Sequence, residues 1–156
     1  MSEEILIVAP NHDFHNFIIN SFLKSYRDSK KELNNKEYYS TYSKIILDFI
    51  SKHEIKVAVN PDNQNQIYGW LMCDPVSNCL IYAYVKYPFR RFGIFNELCM
   101  KSSLDWDAQV FYRFQTPTAK TIANNLNLIY TELLWKSKNS EPTKPLLYQL
   151  DAHSLC

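Results

Sequence analysis

Hydrophobic and polar positions along the chain switch between two periods, and each switch marks an element. Residues 5–9, Ile-Leu-Ile-Val-Ala, predict a short apolar strand closed by Pro10 and Asn11. Asp13 can cap a helix whose stripe is Phe14, Phe17, Ile18, Phe22 and Leu23, ending near Ser29. The polar residues 30–36 predict a mobile loop. A second helix over 37–52 carries Tyr38, Tyr42, Ile45, Ile46, Phe49 and Ile50 at helical spacing. Strands follow at 55–59 and 67–73, joined by the polar run 60–65, and Asp74-Pro75 with Ser77-Asn78 makes the next turn. Residues 80–85 then alternate as a central strand, with Tyr82 and Tyr84 on one face and Ile81, Ala83 and Val85 on the other. Pro88 cannot donate to a ladder, so it stops that strand. Ile94 and Leu98 open a third helix; 110–114 is a strand. Thr116-Pro117-Thr118 begins a short helix to Leu126, with the proline in its first turn. Two further strands are expected at 128–135 and 145–150, separated by a long loop over 136–144, and the tail from Asp151 lacks pattern.

This order restricts the fold. Three consecutive strands with short turns predict an antiparallel meander. The strand–helix–strand unit over 80–114 requires a parallel pair with a right-handed crossover. The economical solution is one α+β (α/β) domain over residues 1–156, a mixed and mostly antiparallel sheet with helices on both faces.

Composition adds exclusions. The chain has 156 residues, 46% hydrophobic, enough to bury a core without staples. A net charge of +1 argues against a duplex-coating protein, which needs a concentrated basic face, so the sequence carries no strong nucleic-acid signal, though local basic patches stay open. No apolar run is long enough for a bilayer and the N-terminal residues carry no signal-peptide pattern, so no membrane partner and a cytoplasmic location are expected. The four cysteines, Cys73, Cys79, Cys99 and Cys156, have neither paired spacing nor histidine companions at zinc spacing. They predict reduced, buried thiols and no metal. Aromatics at 15% suit either a large core or an aromatic-lined groove.

The candidate chemistry lies where the central strand gives way to the third helix, at Arg90-Arg91-Phe92-Gly93-Ile94-Phe95. A strand, a tight basic turn and a helix N-terminus make an anion site, because the first-turn amides have no partner within the helix and the helix dipole favours negative charge. Gly93 is one of only two glycines, which points to a place where a side chain would obstruct something.

Val85-x-x-x-x-Arg90-x-x-Gly93-x-Phe95 resembles the acyl-CoA-binding motif of the GCN5-related N-acetyltransferase (GNAT) superfamily, Arg or Gln, two residues, Gly, one residue, then Gly or Ala. The element order resembles that of the superfamily too, while Phe95 replaces the small residue. The resemblance implies a GNAT-like sheet whose parallel fourth and fifth strands splay apart to hold the pantetheine arm. It implies backbone bonds to that arm from Tyr84, Val85 and Lys86, pyrophosphate binding by the amides of Arg91, Phe92, Gly93, Ile94 and Phe95, and phosphate contacts from Arg90, Arg91 and Lys86. The ligand would be acetyl-CoA or another acyl-CoA, and the acceptor an amine of a small molecule or protein. The superfamily's usual carboxylate would fall near Cys79 and its leaving-group tyrosine at Ala123, so both are absent. Tyr82, Tyr84 and Tyr112 are the candidate substitutes, with Asp74 at a strand end and His12 and His15 near the first loop as further titratable groups.

Phe17 to Ser29 of the first helix, read with residues 82–86 and 89–91, also resembles small acetyltransferase-like proteins of tailed bacteriophages. That similarity implies a phage-encoded protein in host cytoplasm or virion. The leading expectation is an N-acetyltransferase working through a ternary complex. The alternative is a non-catalytic GNAT-fold binding or virion structural protein with a phage or host partner.

Overall fold

The computed structural model of the chain describes residues 4–132. Six strands make one sheet whose spatial order follows the chain: β1 (Leu6–Val8), β2 (Glu54–Asn60), β3 (Asn63–Asp74), β4 (Cys79–Val85), β5 (Phe111–Tyr112) and β6 (Ile129–Tyr130). β1 to β4 are antiparallel neighbours, whereas β4/β5 and β5/β6 are parallel. Between β1 and β2 run α1 (His15–Tyr26) and α2 (Asn35–Lys52); α3 (Ile94–Lys101) and α4 (Pro117–Leu126) are the crossovers of the parallel pairs. The strand expected at 145–150, the end of the one at 128–135 and Cys156 lie outside the described residues.

The helices cover both faces, as the periodicity requires. Phe22 and Tyr26 of α1 and Tyr38, Tyr42 and Ile46 of α2 pack on Val57, Trp70, Met72 and Tyr82. On the other face, Ile94 and Leu98 of α3 and Ala123 of α4 meet Leu71, Leu80 and Tyr112. Much of the aromatic excess therefore goes into the first layer, where the Phe22 and Tyr82 rings meet edge-on at 4.9 Å and those of Tyr26 and Phe114 at 5.0 Å. Polar tips in that layer are satisfied: the Tyr38 hydroxyl donates to the Leu23 carbonyl at 2.6 Å, and Trp70 Nε1 donates to Ser21 Oγ at 2.8 Å. Cys73, Cys79 and Cys99 are buried free thiols, in line with the expectation for reduced cysteines.

Three local expectations need correction. The cap before α1 is Asn11, whose side chain accepts from the Asp13 amide at 2.8 Å and starts a 3-10 turn, His12–Phe14; Asp13 is not the cap. The stretch after α1 is pinned, not loose. Arg27 donates to the Lys30 and Leu33 carbonyls, both at 2.8 Å, and to Asn35 Oδ1 at 3.1 Å, while Asn34 caps α2. Third, Ile81 does not share a face with Ala83 and Val85. Met72 pairs with Tyr82 and the next residue, Cys73, pairs with Leu80, so Ile81 is an extra residue, a β-bulge that keeps it on the α1/α2 face.

Gly69 fixes how β4 lies on β3. A Cβ there would run into the Tyr84 carbonyl oxygen, with Val85 Cα at 3.0 Å. Only glycine lets the two strands approach this closely.

Candidate active site

β4 and β5 pair at two positions only, Cys79 with Phe111 and Leu80 with Tyr112. Beyond them the strands part, and a cavity of about 690 Å³ takes its walls from both layers of the core. From the α1/α2 side come Ser25, Asp28, Tyr82, Tyr84 and Phe114; from the α3/α4 side come Ala83, Val85, Ile94, Phe95, Tyr112 and Ile122. Arg90, Arg91 and Gly93 complete the wall at the basic turn.

The bulge at Ile81 decides which backbone groups of β4 face the opening. Below it, the Leu80 carbonyl accepts from the Arg113 amide at 3.1 Å and so faces β5. Above it, the Lys86 amide donates to the Tyr68 carbonyl at 2.9 Å, toward β3. Strand alternation then turns Tyr84 toward β3, and Ala83 and Val85 toward the gap. The Val85 carbonyl does face away from β3, accepting from Arg90 Nε at 2.8 Å.

The basic turn is built on two left-handed residues. Arg91 has φ 74° and Gly93 φ 80°. For glycine that conformation is free, whereas an arginine pays about 1–2 kcal/mol for it. Strain of this kind concentrates where function over-determines the backbone. Gly93 caps α3, and the first bond of that helix runs from the Glu97 amide to the Gly93 carbonyl at 3.0 Å. The amides of 94–96 precede it and have no partner within the helix. A Cβ on Gly93 would meet nothing within 4 Å, so the turn is open at Gly93. An anionic group fits there, with Arg90 and Arg91 beside it. Phe95 is partly buried against the α3-side core, so its ring joins the cavity wall.

Not every candidate residue reaches this place. Lys86 and Phe92 do not line the cavity. The Lys86 ammonium sits over the Phe17 ring at 5.0 Å, and Phe92 is 57% exposed. Asp74 ends β3, paired with Cys79 at the start of β4 and away from the basic turn, its carboxylate accepting from the Val76 amide and Ser77 Oγ. His12 and His15 contact one another outside the cavity.

The three candidate tyrosines differ. Ser25 Oγ donates to the Ser21 carbonyl at 2.6 Å, so in its 2.7 Å contact with Tyr82 the phenol is the donor. Burial pushes the Tyr82 hydroxyl up to about 12. Its proton is committed inside the core. Tyr84 is half-buried and Tyr112 buried, and among the described residues neither hydroxyl makes a hydrogen bond. Both line the cavity, one from each face of the sheet. Lys24, Ser25, Asp28 and Ser29, at the end of α1 and in the following 3-10 turn Arg27–Lys30, were not singled out from the sequence; periodicity marks them only as the polar side of a helix. No group of His, Cys, Asp and Glu among the described residues could hold a metal ion, and no helix there is long and apolar enough to cross a membrane.

No protein-family model and no curated protein matches the chain. Solved structures do. A protein assigned as an acetyl transferase from Pyrococcus furiosus matches with a TM-score of 0.57 over 86% of this chain and 99% of its own, at 19% identity. A GCN5-related N-acetyltransferase from Rhodopseudomonas palustris matches with a TM-score of 0.55 over 80% and 82%, at 11% identity. Against apo-form YjaB from Escherichia coli the match spans 62% of this chain and 63% of that one, at 18% identity and a TM-score of 0.47. The mixed sheet, its parallel β4/β5 pair and the flanking helices are the GNAT fold.

Proposed function

We propose that the chain is an acyl-CoA-dependent N-acyltransferase, moving an acetyl group to an amine while both substrates are bound. The carrying observation is the union of an open anion site at the Gly93 turn with a cavity in the gap between β4 and β5. The residues fit the ligand. Amides of 94–96 and the Arg90 and Arg91 side chains suit a pyrophosphate, and the Ala83 and Val85 backbone suits an amide-bearing arm laid along β4. Tyr84, named with Val85 and Lys86 from the resemblance, contributes its side chain to the wall rather than its backbone to the gap.

Acyl-CoA supplies a thioester, whose carbon–sulfur bond breaks as the amine nitrogen bonds to the acyl carbon. The protein's part is to orient the two and to supply a proton to the departing sulfur. Tyr84 and Tyr112 line the cavity and, among the described residues, their hydroxyls make no hydrogen bond, whereas the Tyr82 hydroxyl is held by Ser25. Tyr82→Phe is therefore expected to lower stability by about 1 kcal/mol in urea melts and turnover by less than tenfold. Tyr84→Phe or Tyr112→Phe falling by a hundredfold identifies the acid. If all three stay within tenfold, positioning dominates and water protonates the sulfur.

The direct test is the melting temperature in millimolar acetyl-CoA, followed by thiol release across a panel of amines. A ligand at a hundred times its Kd stabilises by about 2.7 kcal/mol, a shift of several degrees. Turnover is expected to rise with pH as the amine loses its proton. No shift at millimolar acetyl-CoA removes the enzyme reading. Binding without thiol release selects a binding or virion structural protein on this scaffold. Buried Ala123 favours that second reading, since it stands where the resemblance places the leaving-group tyrosine.

A further inference from the structure

The wall formed by the end of α1 carries two opposite charges that nothing in the described protein neutralises. Lys24 and Asp28 both line the cavity, four residues apart on continuous helical backbone, which puts their Cβ atoms about 6 Å from each other. Asp48 and Lys52 at the same spacing close an ion pair at 3.1 Å. Lys24 and Asp28 form none, and neither has a hydrogen bond or ion pair with any described residue. Their order explains this in part, since a base that precedes its acid by one turn pairs less well than the reverse. Neighbouring charges are engaged elsewhere: Arg27 on the Lys30 and Leu33 carbonyls, Lys30 on Glu32 at 3.7 Å. Tyr82, Tyr84 and Phe114 line the same cavity.

From this arrangement we infer that Lys24 and Asp28 are the acceptor subsite, and that the acceptor is a zwitterion: an amine with a carboxylate a few atoms away, of which a free α-amino acid is the simplest. The inference rests on the acyltransferase reading and names its second substrate. Lys24 holds the carboxylate and Asp28 the amine, aimed into the gap where the thioester lies. The amine nitrogen bonds to the acyl carbon and the carbon–sulfur bond breaks. Of the two protons the ammonium gives up, one ends on sulfur and the other in solvent. Both residues are positioning residues, so their effect falls on KM more than on kcat.

The test is thiol release from acetyl-CoA with the standard L-amino acids, their carboxamides and the corresponding decarboxylated amines, with product mass measured in each case. At least one free amino acid is expected to be acetylated with kcat/KM tenfold or more above its carboxamide. Lys24→Met should raise KM for that acid at least tenfold, leave its carboxamide unchanged, and leave the acetyl-CoA melting shift intact. Asp28→Asn should raise KM for both. Carboxamides or simple amines used as well as free acids, Lys24→Met without effect, or an intact acetyl-CoA shift with no amino acid acetylated each overturns this inference alone. Absence of the acetyl-CoA shift in the unaltered protein overturns the acyltransferase reading, and this inference with it.

Discussion

Reversing both arginines of the basic turn, Arg90→Glu with Arg91→Glu, is expected to abolish the acetyl-CoA melting shift and leave the unliganded fold intact. Both side chains are exposed, and within the described protein the change removes one hydrogen bond, from Arg90 Nε to the Val85 carbonyl, and the contact of the Arg90 guanidinium over the Tyr87 ring at 5.6 Å. The lost hydrogen bond costs about 1 kcal/mol. A charge-assisted contact to phosphate is worth about 1.5–3 kcal/mol, so losing two and adding repulsion lowers affinity by more than roughly a hundredfold. Titration calorimetry reads the affinity, and circular dichroism the fold. Lys86→Glu is the control. Lys86 lies over Phe17 outside the cavity, so reversing its charge should weaken binding much less. Equal losses in the two variants would mean general electrostatic attraction rather than a site at the turn.

The two glycines should fail in opposite ways when substituted. Gly69→Ala drives a Cβ into the Tyr84 carbonyl, and no flexible side-chain end is there to yield. Overpacking of this kind costs about 1–3 kcal/mol, and relief requires moving the part of β4 that borders the gap. Urea unfolding should show the loss, with weaker acetyl-CoA binding beside it. A Cβ at Gly93 meets no atom within 4 Å, so the main cost expected for Gly93→Val is the strain of φ 80°, about 1–2 kcal/mol for a side chain there. Its branched side chain stands before the first-turn amides, so binding should disappear. If Gly93→Val binds normally, the turn is structural and the anion site lies elsewhere.

Much of this arrangement was legible in residue patterns. The alternation of residues 80–85, the stop at Pro88 and the helix from Ile94 located the strand, turn and helix of the site. The two helical stripes before it located α1 and α2. What escaped was whatever a period cannot express. A bulge leaves a run of β-formers unchanged, so Ile81 was assigned to the wrong face and the backbone facing the gap was assigned to Tyr84 and Lys86 alongside Val85. Residues 30–36 read as loose because their order comes from Arg27 reaching across to distant carbonyls, which composition does not record. Gly69 drew no attention, since close approach between strands is a property of the pair. Tyr82, Tyr84 and Tyr112 looked alike until the Ser25 hydroxyl distinguished the first from the others. Lys24 and Asp28, exposed residues on the polar side of α1 and the turn after it, carry no signal in the sequence, and only the cavity relates them.

Because each strand lies beside the one synthesised just before it, the sheet can grow in the order in which the chain leaves the ribosome. The first aromatic layer is drawn almost entirely from residues 14–82, with Phe114 the late arrival. The meander and its two helices can thus close most of their core while the crossover helices are still being made. The short turns between β2 and β3 and between β3 and β4 keep the loop-closure entropy of those two pairings low. β5 then docks on the first two residues of β4 only. The gap opens where that short pairing ends.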